Sequence, residues 1–283
     1  MNNEERGGFE TLEANKIVHS MLALSGEYNK SPHFLPENRV KVRGIIESLI
    51  GSLGQPGAKL RGVDFGCGTG FIIDLCHDLL DEIHGLDITS EMMDQVDKNL
   101  ANVRLHEGRA EESPFTAEEF DIAFGYSFLD HLADTKSFLA EAFRVLRAGG
   151  VLYTDLNPNR LFIEAVESSE SSGTSSQYVQ QEFEGALRNG DLYQKKFGID
   201  ASVLEQAEPR KTLEKGFDAS DLVRTAKEVG FTNVEVEFHW FIGEAAISRG
   251  RSVPEAKAID TYLQDTLPMS AHLYKYLRVF MWK

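Results

Sequence analysis

Nine residues, Val63-Asp64-Phe65-Gly66-Cys67-Gly68-Thr69-Gly70-Phe71, constrain this chain more than any other stretch. Before them, Leu60 to Phe65 is an apolar run broken by Arg61 and Gly62, the pattern of a short buried strand. After them, Phe71-Ile72-Ile73-Asp74-Leu75 opens a helical pattern. The alternate glycines between allow a tight turn and let the main chain approach a ligand closely. The free N–H groups of the new helix face the same point and favour an anionic group there. A strand, a glycine-rich turn and a helix start therefore predict a nucleotide-like ligand at a strand's carboxyl end.

Spacing narrows the ligand. A dinucleotide fingerprint G-x-G-x-x-G counted from Gly66 needs a glycine at position 71, which is Phe71. The pattern is instead D-x-G-x-G-x-G, with Asp64 two places before Gly66. This resembles motif I of the class I S-adenosylmethionine-dependent methyltransferases, of the small-molecule, type 11-like kind. The resemblance implies S-adenosylmethionine as cofactor and S-adenosylhomocysteine as product. It implies that Gly66, Cys67, Gly68 and Gly70 hold the methionine end, with Asp64 near its amino group.

Later segments follow in the family's order. Ile83-His84-Gly85-Leu86-Asp87-Ile88 reads as a second strand ending in an acid, 21 residues beyond Gly66. The paired oxygens of Asp87 suit a ribose diol, and Thr89 and Ser90 are expected to cap the next helix themselves. The resemblance sets Ile88 and Met92 beside the adenine. Asn102 to His106 predicts a third strand, and Gly108-Arg109-Ala110-Glu111-Glu112-Ser113-Pro114-Phe115 is similar to the G-D-A-E-x-x-P-F stretch that meets the adenine in this family. Arg109 stands where Asp is commoner; it can stack or donate but cannot accept, whereas Ala110 and Glu111 fit the pattern.

Phe120 to Leu132 gives a fourth strand and the loop beyond it, similar to the segment that lies beside the transferred methyl. Tyr126 and Ser127 fall at the strand end, with Asp130 and His131 further on. A histidine can take a proton from an acceptor hydroxyl or amine. His131, Asp130 and Tyr126 are thus the catalytic candidates, with Asp155 as a further base; His131 reads equally as a histidine packed on the N-terminal helices. Arg144 to Gly150 resembles the R-V-L-K-P-G-G turn, with Ala148 for Pro, and leads into a strand over Val151 to Leu156. Asp218 predicts a helix N-cap, Gly230 its stop, and Phe231 to Phe238 alternates as a half-buried strand. Leu277 to Trp282 predicts a final strand, antiparallel in folds of this family.

The expected fold is α/β: a Rossmann-like, doubly wound, seven-stranded, mostly parallel sheet with an antiparallel last strand and a helical cap insertion. Residues 1–57 form an N-terminal helical arm, with helices over Phe9–Leu24 and Glu37–Leu53. In many relatives such an arm covers the cofactor, which implies roles for Tyr28 and Arg39. Residues 58–156 and 217–283 make the core with C-terminal helical additions, and 157–216 a cap or lid. Asn157-Pro158-Asn159-Arg160 is expected to break the sheet, and Ser168 to Ser176 reads as mobile by composition.

Composition trims the functional classes. Forty-five acidic against 29 basic residues give a net charge of −16, which repels phosphate backbones and argues against nucleic acid. A small-molecule acceptor follows, bound without a metal, since Cys67 and Cys76 form no ligand pattern. No apolar run approaches the ~18 residues of a membrane span, and a reduced cytoplasmic setting is expected. A homodimer is compatible with the sequence. Two other readings stand beside the enzyme: a non-catalytic S-adenosylmethionine-binding regulatory module, and an RNA or protein methyltransferase working with a partner. A basic stripe of Arg144, Arg147, Arg160, Lys195 and Lys196 would favour the latter.

Overall fold

The strands are β1 (Arg61–Phe65), β2 (Glu82–Asp87), β3 (Val103–Glu107), β4 (Phe120–Tyr126), β5 (Leu146–Pro158), β6 (Asn233–Phe241) and β7 (Tyr274–Trp282). They form one sheet in the order β3-β2-β1-β4-β5-β7-β6. The first five in this order run parallel, and β7 lies antiparallel between β5 and β6. The computed structural model describes residues 3–26, 32–53, 59–173, 176–177, 179–182, 194–195, 197–245, 247 and 253–283. Tyr28 and Lys196 lie outside the described residues.

Helices cover both faces, which is why β1 and β5 are apolar nearly throughout. On one face, α5 (Thr135–Val145) and α9 (Ala219–Val229) pack Phe138, Leu139, Ala142, Leu222 and Ala226 against Val63, Phe65 and Leu152. On the other, α2 (Pro36–Leu53) and α3 (Phe71–Cys76) pack Val42, Ile46, Ile72 and Ile73 against Ile122, Phe124 and Tyr153. Asp134 caps α5 through Lys136 N and Ser137 N, and Asp218 caps α9 through Ser220 N and Asp221 N. The chain order reverses between β1 and β4, so the loops after these neighbours diverge and leave a crevice at their carboxyl ends.

Several boundaries differ from the sequence reading. Gly149 and Gly150 lie within β5, which starts at Leu146. Its end is later too. Pro158 pairs with Tyr276, and its carbonyl accepts from Phe217 N at 2.7 Å, so the sheet breaks only at Asn159. Ser168 to Ser171 belong to α6 (Arg160–Ser171), where the Ser169 and Ser171 hydroxyls bond back to the carbonyls of Ala165 and Glu167, each at 2.8 Å. The N-terminal helix α1 (Asn3–Ser25) begins earlier than predicted. With α7 (Ala201–Ala207) it makes a third apolar cluster, in which Ala14, Val18 and Leu22 meet Ile199, Leu204 and Ala207.

Candidate active site

The glycine turn is pinned to the strand beside it. Gly66 N and Cys67 N both donate to Leu86 O, at 2.8 and 3.2 Å. Gly66, Gly68 and Gly70 have φ of 67°, 51° and 85°, the left-handed region that a side chain resists. A Cβ on Gly66 would fall 2.1 Å from the Phe128 ring, so that ring closes over bare backbone. Cys67 is buried, and burial pushes its thiol well up; it serves packing.

Asp87, at the end of β2, is clamped from two sides. Gly68 N donates to one carboxylate oxygen at 2.9 Å and Thr89 N to the other at 2.8 Å. Each oxygen keeps a lone pair for a further donor. Thr89 begins helix α4 (Ser90–Met93) without a side-chain cap, contrary to the expected self-capping. Burial raises the Asp87 carboxyl and the two N–H bonds pull against that rise. Asp64, buried in β1, is held well above the usual range by burial and then by the charge of Asp87.

Below these residues opens a cleft of about 740 Å³, counting space open to solvent. Of the predicted residues, Gly66, Gly68, Asp87, Ile88, Met92, Arg109, Ala110, Glu111, Ser127 and His131 line it. Asp64, Cys67, Gly70, Tyr126, Asp130 and Arg39 do not. Arg39 pairs with Asp74 and lies 5.6 Å from the centre of the Phe71 ring, on α3. Gly70 starts α3.

The opposite wall is α1, through Thr11, Leu12, Asn15 and His19, which the sequence reading did not assign to the site. Asn15 Nδ2 donates to Thr11 O at 3.0 Å and to His131 O at 3.1 Å. Two carbonyl partners fix the amide's orientation, so the buried Oδ1 without a partner is an acceptor. A signal for this wall was present: Thr11, Asn15 and His19 recur every four residues and so share one face of the helix.

The methyl-side candidates sit in two polar groups. In the first, the His131 imidazole contacts Ala207 O through Nδ1 at 3.0 Å. A carbonyl only accepts, so Nδ1 carries the proton and Nε2 the lone pair. Asp130 Oδ1 lies 3.9 Å from that Nε2. Burial raises the Asp130 carboxyl, while His131 and Lys211 oppose the rise and Glu208 adds to it. Glu208 itself is bonded to Lys211 at 2.7 Å. The His19 ring stands edge-on to His131, 4.9 Å between centres, and burial drives His19 down to about 3, keeping it neutral.

In the second group, Tyr126 OH accepts from Asn38 Nδ2 at 2.8 Å, and burial raises the phenol. Beside it in β5, Asp155 takes Arg278 Nε at 2.8 Å, Tyr153 OH at 2.5 Å and Leu156 N at 2.7 Å, with His239 Nε2 2.7 Å away. Burial alone would raise Asp155; His239, Arg278 and these hydrogen bonds outweigh it and hold the carboxyl far below its usual range. Burial lowers His239, so Arg278 supplies the standing positive charge. With both oxygens engaged, Asp155 is a structural anion and not the free base that the sequence admitted. Ser127, Leu156 and Trp240 have φ of 51°, 59° and 60°, strained positions on β4's exit, the β5 bulge and late β6.

Known proteins resemble part of this chain in sequence and its fold in structure. A family described as a methyltransferase domain matches residues 63–154. A probable S-adenosylmethionine-dependent methyltransferase of Mycolicibacterium smegmatis is 32% identical over 99 residues, 35% of this chain and 38% of that protein. An uncharacterized methyltransferase of Bacillus subtilis, YcgJ, is 27% identical over 128 residues, 44% of this chain and 51% of its own length. The matched region is therefore about half or less of these relatives. The crystal structure of a SAM-dependent methyltransferase from Archaeoglobus fulgidus superposes with a TM-score of 0.51 over 87% of this chain and 94% of the other, at 16% identity, which speaks for the fold alone. Residues 63–154 are thus similar to a methyltransferase domain, and the sheet and its flanking helices have the fold of a SAM-dependent methyltransferase structure.

Proposed function

We propose that this chain transfers the methyl group of S-adenosylmethionine to a small-molecule acceptor, with no metal taking part. The observation that carries the reading is the Asp87 carboxylate, clamped by Gly68 N and Thr89 N at the rim of a cleft. The cleft's unpartnered atoms fit a ribose and an adenine. Asp87 keeps lone pairs for hydroxyl donors, Asn15 Oδ1 lacks a partner, and Ile88 and Met92 supply apolar contact. When bound, the cofactor supplies a methyl group already activated by its sulfonium. The protein's share is then alignment and exclusion of water, with the acceptor held near Ser127, Asp130 and His131. Tyr126 supports this wall through Asn38 rather than by proton transfer, because burial keeps its phenol protonated.

Other features support a small acceptor. Arg144, Arg147 and Arg160 are neutralised by Glu141, Asp121 and Asp221, so they form no bare stripe for a phosphate backbone. Among the described residues no three His, Cys, Asp or Glu side chains converge as a metal site, and no helix is long and apolar enough to cross a membrane. Cys67 and Cys76 are free thiols, which suits a reducing cytoplasm. Calorimetric titration with S-adenosylmethionine and S-adenosylhomocysteine tests the reading. Asp87→Ala should weaken both by at least tenfold, about 1.4 kcal/mol. Equal affinity in a folded Asp87→Ala protein would remove the cofactor assignment.

A further inference from the structure

We infer that the acceptor is a primary amine, held as its ammonium between Asp130 Oδ1 and His131 Nε2 and deprotonated by His131. The inference rests on the methyltransferase reading above and adds the acceptor's chemical class. It starts from two acceptor atoms that face each other with nothing between them. Asp130 Oδ1 is buried and has no hydrogen-bond partner; the side chain is 9% exposed. His131 Nε2, 3.9 Å away, carries a lone pair because Nδ1 gives its proton to Ala207 O. Two acceptors cannot satisfy one another.

The spacing selects the donor. One nitrogen placed about 2.9 Å from each atom spans that gap, with an angle at nitrogen of about 85°. An ammonium has a hydrogen for both acceptors. A hydroxyl has one and leaves the other acceptor bare, and a carboxylate meets a like charge. The local charge agrees: Asp155 is matched by Arg278, whereas Glu208 and Asp130 both face the single ammonium of Lys211, two carboxylates to one cation. A cationic ligand completes the set.

The neighbouring surface is aromatic. Tyr276 lies within electrostatic reach of Asp130, and its ring centre is 6.0 Å from His33 and 6.2 Å from Trp240, edge-on to both. An aryl group on the amine has rings to meet there. His131 lines the cleft, and Asp130 Oδ1 is buried beside it. Helices α1 and α7 border it, and their apolar residues form a cluster of their own.

The reaction balances without a further reagent. The bound ammonium gives one proton to His131 Nε2 and regains a lone pair. That pair forms the new N–C bond while the S–C bond breaks and sulfur keeps its electrons. The product leaves as a methylammonium, and His131 returns its proton to solvent.

Three probes of one shape test this with S-adenosylhomocysteine bound: 2-phenylethylamine, 2-phenylethanol and phenylacetate, each titrated by calorimetry. The wild type should bind the amine at least tenfold more tightly than the alcohol, and the carboxylate most weakly. Asp130→Asn should erase that preference while holding S-adenosylhomocysteine within twofold of wild type. Equal or absent binding of the amine, or a preference that survives Asp130→Asn, overturns the inference. If Asp130→Asn fails to fold, the wild-type order of the three probes decides alone. Failure of S-adenosylhomocysteine itself to bind would instead strike the cofactor reading, so the two are separable.

Discussion

At the scale of single residues, the site divides into atoms the sequence could place and atoms it could not. Asp87 was legible because its place in the cleft follows from position: an acid at a strand end, a fixed distance past a glycine turn. Asn15 was not, because its role depends on a long-range contact: its amide reaches His131 O, 116 residues away. On the proposed reading, its unpartnered Oδ1 offers what Arg109 cannot, an acceptor for the adenine amino group. Asn15→Ala should therefore weaken S-adenosylhomocysteine about fivefold to tenfold, the cost of one hydrogen bond. The inosine analogue, which has a carbonyl where adenine has an amine, should be held no more tightly by wild type than by Asn15→Ala. Calorimetry with both ligands on both proteins checks this; an equal loss for the two would mean that Asn15 only holds α1 in place.

At the scale of elements, the sequence marked the strands by their apolar runs but missed the polar layer across their ends. Tyr126, Asp155 and Arg278 come from β4, β5 and β7 and meet only because β7 inserts antiparallel beside β5. No spacing within one segment carries that. A buried pair is costly to break from one side, since the remaining charge loses its partner. Arg278→Leu should lower the unfolding free energy by about 3–5 kcal/mol, read from urea titration. The pH dependence has a definite sign. Asp155 is depressed in the folded state, so its contribution is present above the unfolded carboxyl value of about 4 and is lost as pH falls towards the folded value. The stability gap between wild type and Asp155→Asn should accordingly be widest near neutrality and narrow progressively below pH about 4. A gap that stayed constant with pH would show that Asp155 acts by packing and not by charge.

At the scale of the whole molecule, the apolar clusters suggest which parts move together. Those on the two faces of the sheet are built largely from strand residues and the helices over them. The third joins α1 to α7 and the segment before it, and includes no strand residue. Yet α1 also forms the cleft wall through Thr11, Asn15 and His19, and the α7 carbonyl of Ala207 holds His131. Helix α1 and residues 199–207 thus pack as one unit that bounds the cleft through Asn15 and holds His131 through Ala207 O. A ligand in the cleft, bound by both the core and this unit, should stabilise the closed arrangement by about 2.7 kcal/mol at a hundredfold excess over its Kd. Hydrogen exchange followed by mass spectrometry should then show residues 10–25 and 199–207 gaining protection together when S-adenosylhomocysteine is added, while β1, β4 and β5 change little. Val18→Ala, which loosens the shared cluster, should lower protection in both segments and weaken the ligand while leaving the sheet's exchange unaltered. Protection confined to α1, with 199–207 unchanged, would mean that the two helices respond separately and that the acceptor side is not closed by cofactor binding.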